Sequence, residues 1–327
     1  MVLASGSKGN ATIIAAGSTR ILVDAGMSCR ELMKRMALVG EYPESLNAIL
    51  ITHEHLDHVA GLSVLARRLK IPVFFTEGTH RAWVRMITPR TTMSYAKWLD
   101  NLQREKEARA TDHLPAHTVA TAVMESEPLV VDDPLEPECA EPEMDAEPAA
   151  PRVKDNPSIL PVVEYFRAGH GFCIGEIDVS PFTIPHDAAD PCGFVFHARS
   201  ESIKMAIATD LGYVPPNVKM ALRGVDVLLL ESNHDLDMLM DGPYPWSVKQ
   251  RVLSRVGHLS NTACAEFLMR DYDGGAHTIV LGHLSAQNNL PELARLAAEQ
   301  AIGERMTLLG NRVLLAVQDE PLEPICL

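Results

Sequence analysis

The sequence predicts an α/β (α+β) fold with mixed sheets. Short apolar runs alternate with helix-period stretches that begin at capping residues, and the opening order is β-β-β-α-β-α rather than the strict alternation of a Rossmann half. Polar, metal-capable residues also recur just past the ends of the apolar runs, as expected where strands deliver side chains into a crevice.

Residues 2–4 and 11–15 read as strands joined by a small polar turn, and residues 20–24 as a third strand ending in Asp24. Ser28 is the expected N-cap of a helix over 29–39, with Glu31 completing a capping box and Gly40 stopping it. Residues 48–52 form the next strand, 59–70 carry a helical pattern, and 72–76 return to strand. Beyond Thr88 the pattern fades: 94–110 reads as one helix, and 111–158 as a disordered acidic insertion. Between Asp112 and Asp155 stand twelve acids and two bases with few large apolar groups, too little burial to offset the entropy of ordering. Order resumes near Val162. Antiparallel strands are expected at 172–174, 177–184 and 193–197, and buried strands at 204–209, 225–231 and 278–281. Helices are expected at 247–256, 261–270 and 291–300, with a closing strand at 313–318. The chain is therefore read as a single domain over 1–327, interrupted by the insertion.

With 327 residues, 46% hydrophobic and 22% charged, the composition is that of a globular protein with a sizeable core. No apolar run is long enough to span a membrane, and the N-terminal residues lack a basic n-region, so neither membrane insertion nor secretion is expected. The six cysteines are scattered without a C-x-x-C pair, which suits free thiols and a cytoplasmic location. The net charge of −14 argues at first against a nucleic-acid partner, but most of it lies in the acidic window.

The densest chemistry lies in Thr52-His53-Glu54-His55-Leu56-Asp57-His58, where His53, His55, Asp57 and His58 follow an apolar strand at H-x-H-x-D-H spacing. Neutral imidazole and carboxylate are ligands that zinc and similar divalent ions accept. His186, Asp210, His234 and His283 stand just past other strands. Their shared position groups them with the His cluster.

This constellation resembles the metallo-β-lactamase superfamily, whose fold is a four-layer αβ/βα sandwich. Asp24, in Leu22-Val23-Asp24-Ala25-Gly26, matches the family's early Asp that braces the metal loop. The runs Leu3 to Ala11, His186-Asp187-Ala188, Gly257-His258-Leu259-Ser260-Asn261 and His283 to Asn289 look like the YycJ/WalJ-like branch. That branch is associated with exonuclease activity on DNA and lies near the ribonuclease Z-like phosphodiesterases. The resemblance implies two divalent metal ions, zinc first and manganese or iron as substitutes. It assigns His53, His55 and His186 to one, Asp57, His58 and His283 to the other, and Asp210 as the bridge, with a metal-bridging hydroxide as nucleophile. It also implies a contact from His258 to the scissile phosphate or a proton for the leaving oxygen; a plain helix-capping turn at Ser260 or Asn261 is the alternative. The chain departs from the branch in starting almost inside its first strand, so a true start upstream is expected, and in its acidic insertion.

Outside that set, His234 reads as orienting a ligand or as a local turn residue, and Ser7 and Asn10 as phosphate contacts or as members of a tight turn. His80, His113, His117, His170, His197 and His277 read as structural or exposed, and Trp83, Trp98 and Trp246 as packing residues. The expected activity is a dinuclear metal-dependent phosphodiesterase, a DNA exonuclease, with Asp57 and His258 as catalytic residues. The alternatives are a hydrolase of a small thioester, lactone or cyclic phosphodiester on the same centre, or a non-catalytic, metal-stabilised docking protein. Oligomeric state is not legible.

Overall fold

Two runs of strands, most of them apolar on both faces, frame the computed structural model, which describes residues 1–88, 158–303 and 312–327. One sheet contains β1 (Val2–Ala4), β2 (Ala11–Ala16), β3 (Thr19–Val23), β4 (Ala48–Leu50), β5 (Pro72–Phe75) and β6 (Val162–Tyr165), in that spatial order. β1 to β3 pair antiparallel and β3 to β6 parallel. The other sheet runs from β7 (Phe172–Ile174) through β8 (Ile177–Thr183), β9 (Cys192–Ala198), β10 (Ile203–Ala208), β11 (Val227–Glu231) and β12 (Thr278–Gly282) to β13 (Arg312–Leu315). It is antiparallel up to β10 and parallel from β10 onward. Both sheets are mixed, as expected.

Side chains on a strand alternate between faces, so a strand covered on both sides must be apolar throughout. Ile21 and Val23 pack between the sheets with Leu50, Phe194, Ile207, Leu229 and Val280. Leu22, one residue out of phase, packs outward under α1 (Cys29–Leu38), α3 (Leu62–Leu69) and α4 (Glu77–Ile87), with Leu32, Leu65 and Trp83. Leu228 and Leu230 likewise pack under α5 (Pro216–Ala221), α8 (Asn261–Arg270) and α9 (Pro291–Ile302), with α6 (Leu236–Asp241) and α7 (Trp246–Val252) between α5 and α8 in the chain. The result is four layers, helix–sheet–sheet–helix. Truncating Leu22 or Leu229 to Ala would open a layer at a cost of about 2–5 kcal/mol.

Local differences from expectation have local causes. The helical pattern over 59–70 is broken into α2 (Leu56–Val59) and α3, because Gly61 is held elsewhere. Its N–H donates to the Ala25 carbonyl at 2.8 Å, and a Cβ there would lie 2.0 Å from the Met27 oxygen. Ser28 caps α1 by accepting from the Glu31 N–H at 3.3 Å, but the Glu31 carboxylate does not complete the box. It pairs instead with Arg35 Nε at 2.9 Å, an arginine fixed further by the Leu3 and Gln318 carbonyls. The expected helix at 94–110, the acidic insertion except for Ser158, and Trp98, His113 and His117 lie outside the described residues. Trp83 is buried in the core and Trp246 is exposed. The five described cysteines are free, and among the described residues no helix is long and apolar enough to cross a membrane.

Candidate metal centre

Asp24, Asp210 and His283 share a left-handed backbone, with φ of 61°, 61° and 55°. Each follows the end of a strand, β3, β10 or β12. Non-glycine residues hold this conformation only when their surroundings over-determine it, at a cost of about 1–3 kcal/mol each. The restraints are visible: Asp24 N–H donates to Leu50 O at 2.8 Å, and His283 N–H to Ser5 Oγ at 2.7 Å. Past Asp210, Leu211 N–H donates to Glu231 Oε2 at 2.7 Å.

Asp24 organises the His-rich loop. Its Oδ1 accepts from Thr52 N–H at 2.9 Å, and its Oδ2 from Thr52 Oγ1 at 2.9 Å and His58 Nδ1 at 2.8 Å. A carboxylate can only accept, so His58 carries its hydrogen on Nδ1 and leaves Nε2 toward the cluster. Asn10 ties the turn after β1 to the same loop: its N–H donates to Asp57 O at 2.7 Å, and its side-chain amide stands 3.1 Å from His58 Nε2. Gly26 closes this seam, since a Cβ there would sit 1.6 Å from the Asp57 oxygen.

Potential ligand atoms then gather into overlapping sets, each within 4.8 Å. His53, His55 and His186 form one, Asp57, His58 and His283 another, and Asp210 joins His53 and His58 in a third. Asp210 also stands 3.4 Å from His283 Nε2. It is thus shared by the two triads. Buried His53 Nε2, Asp210 Oδ2 and His283 Nε2 have no hydrogen-bond partner among the described residues. His186 Nε2 and His55 Nδ1 face each other at 3.2 Å, a pairing that needs a proton or a cation between them. Buried polar atoms left unpaired cost about 1–3 kcal/mol each, so converging acceptors without donors fit divalent cations.

The charges agree with that fit. Burial would raise the Asp57 carboxyl, yet His58 and His283 hold it below the usual carboxylate range. Asp210 is held down in the same way against its burial, chiefly by His283 and then His58. Burial opposes a charge on His58, but Asp24, Asp210 and Asp57 raise it to about 9. His53, buried among other imidazoles, is pushed well below its usual value and stays neutral. Without cations, protons on His58 and His283 balance the carboxylates.

Glu231 is the residue that sequence reasoning missed. Fully buried at the end of β11, it accepts on Oε1 from His258 Nδ1 at 2.7 Å and His283 Nδ1 at 3.0 Å. His258 and His283 keep it ionised against its burial. His258 therefore stands inside the centre, its ring 5.2 Å from His186 and 5.1 Å from His283, while Ser260 separately caps α8 through Ala263 N–H at 3.1 Å. The capping turn and the site residue coexist. A buried acid at the end of an apolar strand was the available signal.

Three further candidates, His234, Ser7 and Asn10, lie near the centre in different settings. His234 is buried, but neither ring nitrogen has a hydrogen-bond partner among the described residues; its main chain bridges to Ser260 instead. Its neighbour Asn233 reaches His283, donating to its carbonyl at 2.7 Å. Ser7 is exposed on its turn, whereas Asn10 is buried against Asp57 and His58.

The family model for the metallo-beta-lactamase superfamily matches residues 4–248. The chain belongs to the metallo-beta-lactamase superfamily. Within it, the chain is 31% identical over 304 residues to an exodeoxyribonuclease YycJ of Bacillus anthracis, covering 93% of this chain and 89% of that relative. It is 30% identical over 295 residues to an exodeoxyribonuclease WalJ of Streptococcus pneumoniae, covering 90% and 84%. The superfamily fold is seen again in YhfI from Bacillus subtilis, with a TM-score of 0.57 at 14% identity over 97% of this chain and 96% of that one. A superfamily site of divalent metal ions at the strand ends is what the His and Asp sets provide.

Proposed function

We propose that this chain is a dinuclear metal-dependent phosphodiesterase that acts as a DNA exonuclease. The observation that carries the reading is Asp210 shared between two donor triads, with a carboxylate-held imidazole, His258, beside them. The exodeoxyribonuclease names of relatives at 30% and 31% identity support DNA as the substrate class.

His53, His55 and His186 would hold one cation, Asp57, His58 and His283 the second, and Asp210 both; zinc best matches so imidazole-rich a donor set. When bound, the cations make water nucleophilic at neutral pH and offset the charge of the phosphate. The protein does the rest. Asp24 and Glu231 fix the histidine tautomers by accepting from Nδ1 of His58, His258 and His283. With Nδ1 committed to Glu231, His258 has Nε2 left for the reaction, where it hands a proton to the departing oxygen. Glu231 holds the ring in place through its 2.7 Å contact with Nδ1.

Incubation with end-labelled DNA and RNA under zinc, manganese or iron tests this reading. Mononucleotide release from DNA, lost in Asp57→Ala, is expected. Turnover of bis-p-nitrophenyl phosphate without nucleotide release from either polymer would contradict it.

A further inference from the structure

Near the centre stands a cation that stacks on an aromatic ring and has no ion-pair partner among the described residues. Three segments are laced together there. Gly212 lies so close to the chain at Arg255 that a Cβ would stand 2.4 Å from the Arg255 carbonyl carbon. Gly212 N–H donates to Pro185 O at 3.1 Å, and Asp187 N–H to Val256 O at 3.1 Å. This brings Tyr213, three residues past Asp210, to Arg255, three residues before His258. The Arg255 guanidinium carbon sits 4.3 Å from the Tyr213 ring centroid.

Cations on this segment differ in what they are free to do. Lys249 donates to the Met240 carbonyl at 2.6 Å, and Arg251 pairs with Asp187 at 2.5 Å. Arg255 is exposed and makes no ion pair or hydrogen bond among the described residues. A guanidinium stacked on an aromatic face keeps its in-plane N–H groups available, and its rotamer is already restricted before a ligand arrives. In a chain of net charge −14, a cation near the site with no ion-pair partner among the described residues gives a phosphate a local attraction that the whole molecule does not.

We propose that the Tyr213–Arg255 pair is a positioning element that grips a phosphate of the nucleic-acid strand next to the scissile linkage. The proposal rests on the nuclease reading and deepens it: the substrate is a strand with a neighbouring phosphate, not an isolated diester.

Steady-state kinetics of metal-loaded wild type, Arg255→Ala, Arg255→Lys, Tyr213→Leu and Tyr213→Phe test it, on a short DNA oligonucleotide and on bis-p-nitrophenyl phosphate. For the oligonucleotide, Arg255→Ala and Tyr213→Leu should raise KM about 10-fold with kcat within about 2-fold, and the Arg255→Ala salt slope should be shallower by about 1. Tyr213→Phe keeps the aromatic face and should match wild type, with Arg255→Lys in between. All variants should hydrolyse bis-p-nitrophenyl phosphate like wild type. An unmoved oligonucleotide KM in Arg255→Ala, or equal losses on both substrates, overturns the pair's role while leaving the nuclease reading standing. A wild-type protein that turns over only the small diester overturns both.

Discussion

Glu231 Oε1 holds His258 by its Nδ1 at 2.7 Å, and the same oxygen reaches His283 Nδ1 at 3.0 Å. One buried carboxylate thus sets the tautomer of a candidate acid and of a candidate metal ligand. Removing His258 should separate the two roles. His258→Ala is expected to lower kcat on DNA by about 10²–10⁴-fold with metal content unchanged. With a p-nitrophenolate leaving group, which needs no proton, the loss should be far smaller; equal losses on both substrates would count against proton donation. Glu231→Gln should add a fall in metal affinity to the fall in kcat.

Asp24 is buried and accepts from both Thr52 groups and from His58. Asp24→Asn keeps the shape but cannot accept at both oxygens. Metal affinity, measured by competition with a chromophoric chelator, should fall by about 10–100-fold. An unchanged affinity would show that the His58 ring is held by other contacts.

Gly26 joins the loop after β3 to the His53–His58 loop, with its N–H donating to Asn10 O at 3.0 Å and no room for a Cβ beside Asp57 O. Gly26→Ala must push main chain apart, at a cost of about 3 kcal/mol. A lower Tm together with lost metal is expected. A Tm equal to wild type would refute the close packing of these loops.

His234 gives the fold an acid limit. Burial lowers its imidazole to about 4, so it is neutral in the folded protein and titrates near 6.5 when unfolded. A depressed histidine contributes stability that is complete above pH 6.5 and is lost as pH falls toward 4, by about 3 kcal/mol at most. Thermal unfolding of wild type and His234→Gln between pH 7 and 4.5 checks this. The wild type should lose more stability over that range, whereas parallel curves would remove His234 as the cause.

Much of this was legible in residue order. The apolar runs around Leu22, Leu50, Leu229 and Val280 marked strands buried on both faces, and H-x-H-x-D-H after β4 pointed to the candidate metal centre. Sheet order was less visible, because pairing depends on contacts distant in sequence. The break at Gly61 follows from its packing against Ala25 and Met27, which no periodicity reveals. Helix α4, the six-residue α5, and α6 (Leu236–Asp241) went unread, the short ones because they span too few turns for a period to register. Glu231 was hidden in its strand: its role arises only when β11, β12 and the segment before α8 bring His258 and His283 to one oxygen. Tyr213 and Arg255, far apart in the chain, form a pair only through the lacing at Gly212.

The proposed phosphodiester chemistry requires two cations held through Asp210. Titrating metal-free protein with zinc or manganese, and reading nucleotide release from end-labelled DNA at each equivalent, tests it most directly. The rate should climb until two equivalents per chain are bound and then level off. A rate complete at one equivalent, or independent of added metal, would contradict the two-cation account.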